Sequence, residues 1–237
     1  MIIDLSHVFH DGMPGIRFRD DDGASVELTA RIRPFLTHSR SRAHYHDQSS
    51  FEITDVAFQT SVGTKMDAPR HRFEGAGDIA SIELDRVILD GIVIDARGAR
   101  AGQELGIADL QIPDQIAGKA VLLNFGWDRH WGGEQYRAHP FVSREVVMKL
   151  LDAGIALFGV DCSNADSTLD FERPAHTWFL EKGILIVENL VGLDRLHGAP
   201  FRFFSIPLKA RDAAAFPVRA FAEVPEQRRG ASPSGEA

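Results

Sequence analysis

Apolar positions along this chain follow two different patterns, one in each half of the sequence. In the first half, residues 26–33 alternate apolar with polar side chains and residues 51–58 form a second short run, as expected of half-buried strands. In the second half the apolar residues gather into compact runs rich in Val, Ile and Leu, at residues 87–96, 120–126, 155–161 and 183–189. Runs this short predict strands that are buried on both faces. Further strands are predicted at residues 2–8, 201–208 and 214–222.

One segment between these runs has the pattern of a helix. In residues 143–154, Ser143 is of the type that caps a helix N-terminus, an apolar stripe follows, and Gly154 ends the segment. Strands that alternate with helices predict an α/β fold. Residues 38–50 show no apolar period and are predicted to form a mobile loop, and residues 223–237 a disordered polar tail.

Composition narrows the class of protein. The chain has 237 residues, of which 44% are hydrophobic and 25% charged, and this length fits one globular domain, predicted over residues 1–222. Its 34 acidic and 26 basic residues give a net charge of −8, which disfavours nucleic acid and anionic lipid as partners. No apolar stretch approaches the roughly 20 residues that span a bilayer. The single cysteine and the absence of a secretion signal at the start lead us to expect a cytoplasmic protein with a small-molecule substrate.

Polar or ionisable side chains recur at alternate or near-alternate positions in residues 61–71. An extended chain would point four of them to the same side, where they could share a pocket: Ser61, Lys65, Asp67 and His71. The same spacing fits a solvent-exposed strand edge that runs into a turn at Pro69. Spacing alone does not separate the two interpretations.

Two later segments end buried runs with polar side chains. Residues 161–166 follow one such run, at the sheet edge where α/β proteins bind ligands, although Asn and Asp also simply make turns. Glu188 ends another run, and a buried carboxylate must be paired, protonated or bound to a metal. Its predicted partner is His176, Lys65 or a cation, in a structural salt bridge or in a functional site.

Several segments match, in the same order, the pattern of a known family. They are residues 3–7, 12–14, 61–71, 125–128, 159–161 and 187–190, together with His176. In these the chain resembles the cyclase family of metal-dependent hydrolases, which includes bacterial kynurenine formamidase and isatin hydrolase. The resemblance implies one α/β domain with a swivelling β/β/α core of mixed sheet and flanking helices. It also implies a homodimer or higher homo-oligomer in which neighbouring subunits approach each other's pockets.

The family's signature, His-x-Gly-Thr-His-x-Asp-x-Pro-x-His, is altered here at two positions. The matching residues are Gly63, Thr64, Asp67, Pro69 and His71. The two histidines that bind metal in the signature are replaced by Ser61 and Lys65. The resemblance implies that His71 is a catalytic acid and base, and that the remaining metal ligands are Asp67, His176 and Glu188.

A lysine at a metal-binding position leaves two outcomes open. An ammonium places a positive charge where a cation would sit, and it must lose a proton to bind one. In the first outcome Asp67, His176 and Glu188 hold one divalent metal, zinc or manganese, with open positions for water and substrate. In the second no metal is bound, Lys65 pairs with both carboxylates, and His71 and His176 carry the acid–base chemistry.

The predicted function is hydrolysis of an amide, lactam or lactone bond in a small cyclic or aromatic substrate. His71 is expected to act as general acid and base, while Lys65 and Ser61 supply charge and hydrogen bonds. Two alternatives stay open. One is a metal-free cyclase, lyase or isomerase that uses proton transfer, and the other is an inactive homologue that binds a small anionic ligand at Lys65.

Overall fold

The structure is a computed structural model that describes residues 1–225. The strands in this range are β1 Ile2–Asp4, β2 Arg17–Arg19, β3 Ser25–Glu27, β4 Ala30–Leu36, β5 Ile53–Phe58, β6 Lys65–Asp67, β7 Ile88–Asp95, β8 Glu104–Leu105, β9 Ala120–Asn124, β10 Phe141–Val142, β11 Leu157–Val160, β12 Leu185–Glu188, β13 Phe201–Pro207 and β14 Ala215–Glu223. The α-helices are α1 His38–Ser41, α2 Arg144–Asp152 and α3 Pro174–Glu181. Short 3-10 helices fill many of the connections.

Eight of these strands form one mixed sheet, in the order β1-β14-β13-β7-β9-β11-β12-β6. The strands from β7 to β12 in this order are parallel, and α2 and α3 lie on the crossovers from β9 to β11 and from β11 to β12. The other pairs are antiparallel. The first residues of β14 also pair with β6, so the sheet closes into a barrel-like core. The predicted single α/β domain with a mixed sheet is confirmed.

Three of the four parallel strands, β9, β11 and β12, are buried on both faces, as their compact apolar runs predict, whereas β7 is mostly half-buried. Along β9, Val121 and Leu123 belong to the cluster that includes the apolar faces of α2 and α3. Their neighbours Ala120 and Leu122 belong to a second cluster, shared with Met66 of β6 and with β13 and β14. The sheet therefore separates two apolar cores, and each strand contributes side chains to both.

Helix α2 begins and ends at the residues that the sequence indicates. The Ser143 hydroxyl accepts a hydrogen bond from the Val146 N–H at 3.3 Å. Gly154 follows the helix with a φ of 70°, the left-handed conformation that glycine adopts without a steric penalty. Val146, Val147 and Leu150 are buried against the sheet, which confirms the predicted apolar stripe.

Three parts of the chain differ from the prediction. Residues 38–45, predicted as a loop, form α1 and a 3-10 helix, because the Thr37 hydroxyl caps α1 by accepting the Arg40 N–H. The alternating stretch 26–33 is divided between β3 and β4, since each pairs with a different strand. Helix α3 was not predicted, because its N-terminal N–H groups are satisfied by a residue remote from its first turn, Asp166.

The end of the described chain is joined to its beginning. Strand β14 ends at Glu223, one residue past the predicted domain boundary, and the Val224 N–H donates to the Met1 carbonyl at 2.9 Å. The rest of the predicted tail, residues 226–237, lies outside the described residues. Among residues 1–225 there is no helix with the length and apolar character needed to cross a bilayer.

Candidate active site

The site begins with a three-residue strand held between two others. Strand β6 pairs with β12 on one edge and with β14 on the other. Lys65 and Asp67 are two positions apart and so project from the same face of β6, whereas Met66 projects into the interior core. Glu188, the last residue of β12, lies directly opposite Lys65 in the register. Three ionisable side chains therefore share the face of the sheet on which α3 packs.

Lys65 joins the two acids through a buried double ion pair. Its Nζ lies 2.6 Å from Asp67 Oδ2 and 2.7 Å from Glu188 Oε2. Lys65 is 2% exposed, Glu188 1% and Asp67 0%. Burial alone would lower the pKa of Lys65, but the charges of Asp67 and Glu188 outweigh it and raise that pKa. Burial would likewise raise the pKa of both carboxyls, yet the ammonium holds them below their ordinary range.

His176, on the first turn of α3, connects this ion pair to a third carboxylate. Its Nε2 lies 3.1 Å from Glu188 Oε1 and 3.6 Å from Asp67 Oδ2, and its Nδ1 lies 2.7 Å from Asp166 Oδ2. Burial opposes the charged ring, but the hydrogen bond with Asp166 and the nearby carboxylates of Asp67 and Glu188 raise the pKa of His176 to about 10. The three carboxylates around the ring therefore favour its protonated form.

Asp166 has two roles in this arrangement. Besides contacting the His176 ring, its carboxylate accepts the backbone N–H groups of Ala175 and His176 at 2.7 and 3.0 Å, which caps α3. Arg173 precedes the helix with a φ of 52°, and its Nε lies 3.9 Å from Asp166 Oδ2. Asp166 therefore sets both the start of α3 and the orientation of His176.

His71 is the member of the site that reaches solvent. It ends the 3-10 helix that follows β6, its side chain is 32% exposed, and its Nδ1 lies 3.9 Å from Asp67 Oδ1. Its ring centroid is 5.9 Å from that of His176. Burial lowers the pKa of His71 below its ordinary value, and the positive charges of Lys65 and His176 act in the same direction. His71 is thus a neutral base beside the buried ion pairs of Lys65.

Two carboxylate oxygens of the site have no hydrogen-bond partner within residues 1–225. They are Asp67 Oδ1 and Glu188 Oε1, and both are buried. A buried acceptor without a donor is costly unless water or a ligand satisfies it. Asp67 Oδ1 faces His71, so a water molecule or a substrate donor bound there would lie between a carboxylate and a base.

The structure brings together most of the residues that the sequence singled out. Lys65, Asp67, His71, His176 and Glu188 form one cluster. Within residues 1–225 the Ser61 hydroxyl makes no hydrogen bond to any of them. The extended conformation assumed for residues 61–71 is interrupted by Gly63, whose φ of 65° turns the chain between Ser61 and Lys65.

The candidates in residues 161–166 divide between structure and site. The Asp161 carboxylate accepts the backbone N–H groups of Phe125 and Trp127, both at 3.0 Å, and so holds a neighbouring loop. The Asn164 side chain accepts the Asp166 N–H at 2.9 Å. Only Asp166 contacts the cluster, through His176. The turn interpretation therefore describes Asp161 and Asn164, and the functional one describes Asp166.

Asn189 is a supporting residue that sequence reasoning missed. Its Nδ2 donates to the Gly63 carbonyl, its Oδ1 accepts the Tyr136 hydroxyl, and its carbonyl accepts the Thr64 hydroxyl. These bonds fix the turn that leads into β6. Because they join residues more than 50 positions apart, only the position of Asn189 directly after Glu188 could have drawn attention to it.

The donor chemistry of the site can be tested against the divalent metal that the family resemblance implies. Asp67, His71 and His176 each have one potential ligand atom, a carboxylate oxygen or a ring nitrogen, and these three atoms lie within 4.8 Å of one another. However, the second oxygen of Asp67 is bound to the Lys65 ammonium, and both nitrogens of His176 face carboxylates. A metal ligand must present a free lone pair. Asp67 Oδ1 keeps a free lone pair, but the Lys65 ammonium on the other oxygen of that carboxylate would place a positive charge beside any cation held there, so the residues do not fit a divalent cation.

Comparison with known proteins places the chain in a family. Residues 3–167 match the family model described as "Putative cyclase". Kynurenine formamidase of Erythrobacter litoralis is 32% identical over 172 residues, which cover 73% of this chain and 77% of that protein.

Solved structures share the fold. Isatin hydrolase A from Labrenzia aggregata, bound to benzyl benzoate, has a TM-score of 0.78 at 20% identity, covering 94% of this chain and 93% of its own. A structure described as a predicted metal-dependent hydrolase from Bacillus stearothermophilus has a TM-score of 0.68 at 20% identity, and the match covers 94% of this chain and 97% of that one. The matched residues, the related sequence and the shared fold agree, and the chain therefore belongs to the Cyclase family of hydrolase-like enzymes.

Proposed function

We propose that this protein hydrolyses an amide, lactam or lactone bond in a small cyclic or aromatic substrate. The observation that supports this most is the position of His71, a neutral and partly exposed base beside a buried ammonium. Hydrolysis of a carbonyl compound needs a base for water and a positive charge for the oxyanion. The names of the similar proteins, kynurenine formamidase and isatin hydrolase, point to the same kind of bond.

The proposed reaction uses these two groups in turn. His71 takes a proton from a water molecule held near Asp67 Oδ1, and the water oxygen adds to the substrate carbonyl. The developing oxyanion is stabilised by the positive charge of Lys65, whose ammonium has three hydrogens and uses two of them on Asp67 and Glu188. The bond from the carbonyl carbon to the leaving nitrogen or oxygen then breaks, and the His71 imidazolium gives that atom its proton.

His176 holds this arrangement in place. It contacts Glu188 and Asp67 through one nitrogen and Asp166 through the other, so the two carboxylates that hold Lys65 keep a fixed orientation. In the proposed reaction His176 positions these carboxylates and takes no proton from substrate. Proton transfer is therefore assigned to His71, the histidine that solvent and substrate can reach.

The proposal is tested by turnover of a substrate panel by purified protein. The panel contains N-formyl anilines, isatin and an aromatic lactone, each followed by its absorbance change. We expect hydrolysis of at least one of them, and a loss of about 100-fold or more in kcat for His71→Gln, because a general base contributes that much. His44→Gln, at an exposed histidine in the 3-10 helix Arg42–Tyr45, serves as the matched control and should keep full activity. Turnover that His71→Gln leaves unchanged would contradict the proposal.

A further inference from the structure

We infer that the Lys65 ammonium takes the place of a divalent metal, and that this site neither binds nor needs zinc or manganese. The inference concerns what occupies the centre of the cluster. The statement that catalysis needs no metal rests on the proposed function. It sets this chain apart from the structural neighbour described as a metal-dependent hydrolase.

The Lys65 ammonium occupies the space between the two carboxylates. Lys65 Nζ lies 2.6 Å from Asp67 and 2.7 Å from Glu188, at the point where the two carboxylates meet. A zinc ion shared by these carboxylates would need to lie about 2.0–2.2 Å from each of them. The ammonium already occupies the position between the two oxygens. A metal could enter between these two oxygens only if Lys65 left, and the residue is 2% exposed.

Positively charged side chains already surround the carboxylates of the cluster. Lys65 and His176 face the carboxylates of Asp67, Glu188 and Asp166, and the Arg173 guanidinium lies 3.9 Å from Asp166. Lys65 and Arg173 thus already offset part of the negative charge of the three carboxylates in a largely buried place. A divalent cation would add its two charges beside the Lys65 ammonium, which a low-dielectric environment strongly disfavours.

Both ring nitrogens of His176 lie close to carboxylates. A histidine ligand presents a bare nitrogen to the metal, and its other nitrogen donates to a carboxylate or a carbonyl. Here the bond from Nδ1 to Asp166 fits that pattern, and Nε2 lies 3.1 Å from Glu188 Oε1 and 3.6 Å from Asp67 Oδ2. A metal on Nε2 would therefore have to share these two carboxylates with the Lys65 ammonium, whose positive charge opposes it.

The consequence for catalysis is a division of the two tasks that a metal performs at once. A bound metal polarises a carbonyl and also lowers the pKa of its own water. An ammonium stabilises an oxyanion but does not coordinate water. Water activation therefore falls to His71, the partly exposed member of the cluster.

The test is a metal titration of chelator-treated protein in the absence of substrate. Isothermal titration calorimetry with zinc chloride and with manganese chloride should give no stoichiometric binding to the wild type at this site. Lys65→His removes the ammonium and adds a ligand, so we expect it to bind one ion per chain at least about 100-fold more tightly. Lys149→His makes the same chemical change at an exposed position of α2 and should leave binding unchanged.

A thermal measurement keeps the inference testable if the variant is unstable. Each ion should leave the melting temperature of the wild type unchanged, and should raise that of Lys65→Met, whose two acids have lost their cation. Stoichiometric binding to the wild type that Asp67→Asn abolishes would overturn the inference. So would a rise in the wild-type melting temperature that Asp67→Asn abolishes.

The two proposals fail separately. A wild type that excludes metal and hydrolyses nothing in the panel supports the inference and contradicts the proposed function. A wild type that binds zinc through Asp67 and loses turnover on chelation contradicts the inference and leaves the hydrolase proposal standing.

Discussion

At the scale of single residues, burying Lys65 with Asp67 and Glu188 removes the hydration of three charges. That cost is offset only while all three are present, and removal of one partner from a buried pair typically costs about 3–5 kcal/mol. His176 adds a fourth charge and Asp166 a fifth. The cluster is therefore expected to behave as one unit, in which no substitution can be assigned to a single contact.

A half-buried histidine, His7, lies outside this cluster and gives a prediction about pH. Its ring stacks on Trp131 with centroids 3.9 Å apart, and its Nε2 is buried without a hydrogen bond in the described part of the chain. Burial lowers the pKa of His7 to about 4, against 6.5 for the ordinary group. The folded state therefore binds fewer protons than the unfolded state between these values. The contribution of His7 is fully present above pH 6.5 and is lost as the pH falls toward 4.

His7→Phe should keep the stack and remove this dependence. We expect the free energy of unfolding in urea to fall less between pH 7 and pH 5 for the variant than for the wild type. The difference between the two proteins isolates His7, because every other titrating group is common to both. Parallel pH dependences of the two proteins would show that His7 does not titrate in this range.

At the scale of elements, the site depends on one short strand and one short helix. Strand β6 has only three residues and is held by pairing on both edges. Helix α3 has no side-chain cap of its own, because Arg173 stands at the N-cap position and Asp166 supplies the missing acceptor from a preceding loop. Helix α2, in contrast, carries its own cap in Ser143.

The two caps should therefore differ in their effect on stability. Ser143→Ala removes one capping bond, at a cost of about 1 kcal/mol. Asp166→Ala removes two capping bonds and the partner of a buried imidazolium, so we expect a cost of about 3 kcal/mol or more. Urea unfolding with an unchanged m-value measures both. Equal costs for the two variants would mean that Asp166 acts as a cap alone.

At the scale of the whole molecule, local patterns predict the parts of the fold that local forces determine. Compact apolar runs identify the central strands, and Ser143 with Gly154 brackets α2, since each signal lies within its own element. The closure of the sheet through β14 and β6 joins segments about 150 residues apart. No periodicity within either segment encodes that pairing, and α3 was missed because its cap, Asp166, lies outside the helix.

The site, too, is predictable from the sequence only where the signal is local. A carboxylate at the end of a buried run predicts that Glu188 needs a partner, and Lys65 was among the candidates. Choosing between Lys65, His176 and a cation requires the register of β6 against β12, which places Lys65 directly opposite Glu188. Ser61 was grouped with Lys65 by counting alternate positions, and that count fails where Gly63 turns the chain.

In this molecule we infer that a lysine stands where a metal would be. X-ray diffraction from crystals soaked in zinc or manganese chloride, measured on both sides of the metal's absorption edge, tests this inference at the site itself. We expect no anomalous peak among Asp67, His176 and Glu188, and the Lys65 Nζ within hydrogen-bond distance of both carboxylates. A peak coordinated by these three residues, with the Lys65 side chain turned away, would contradict it.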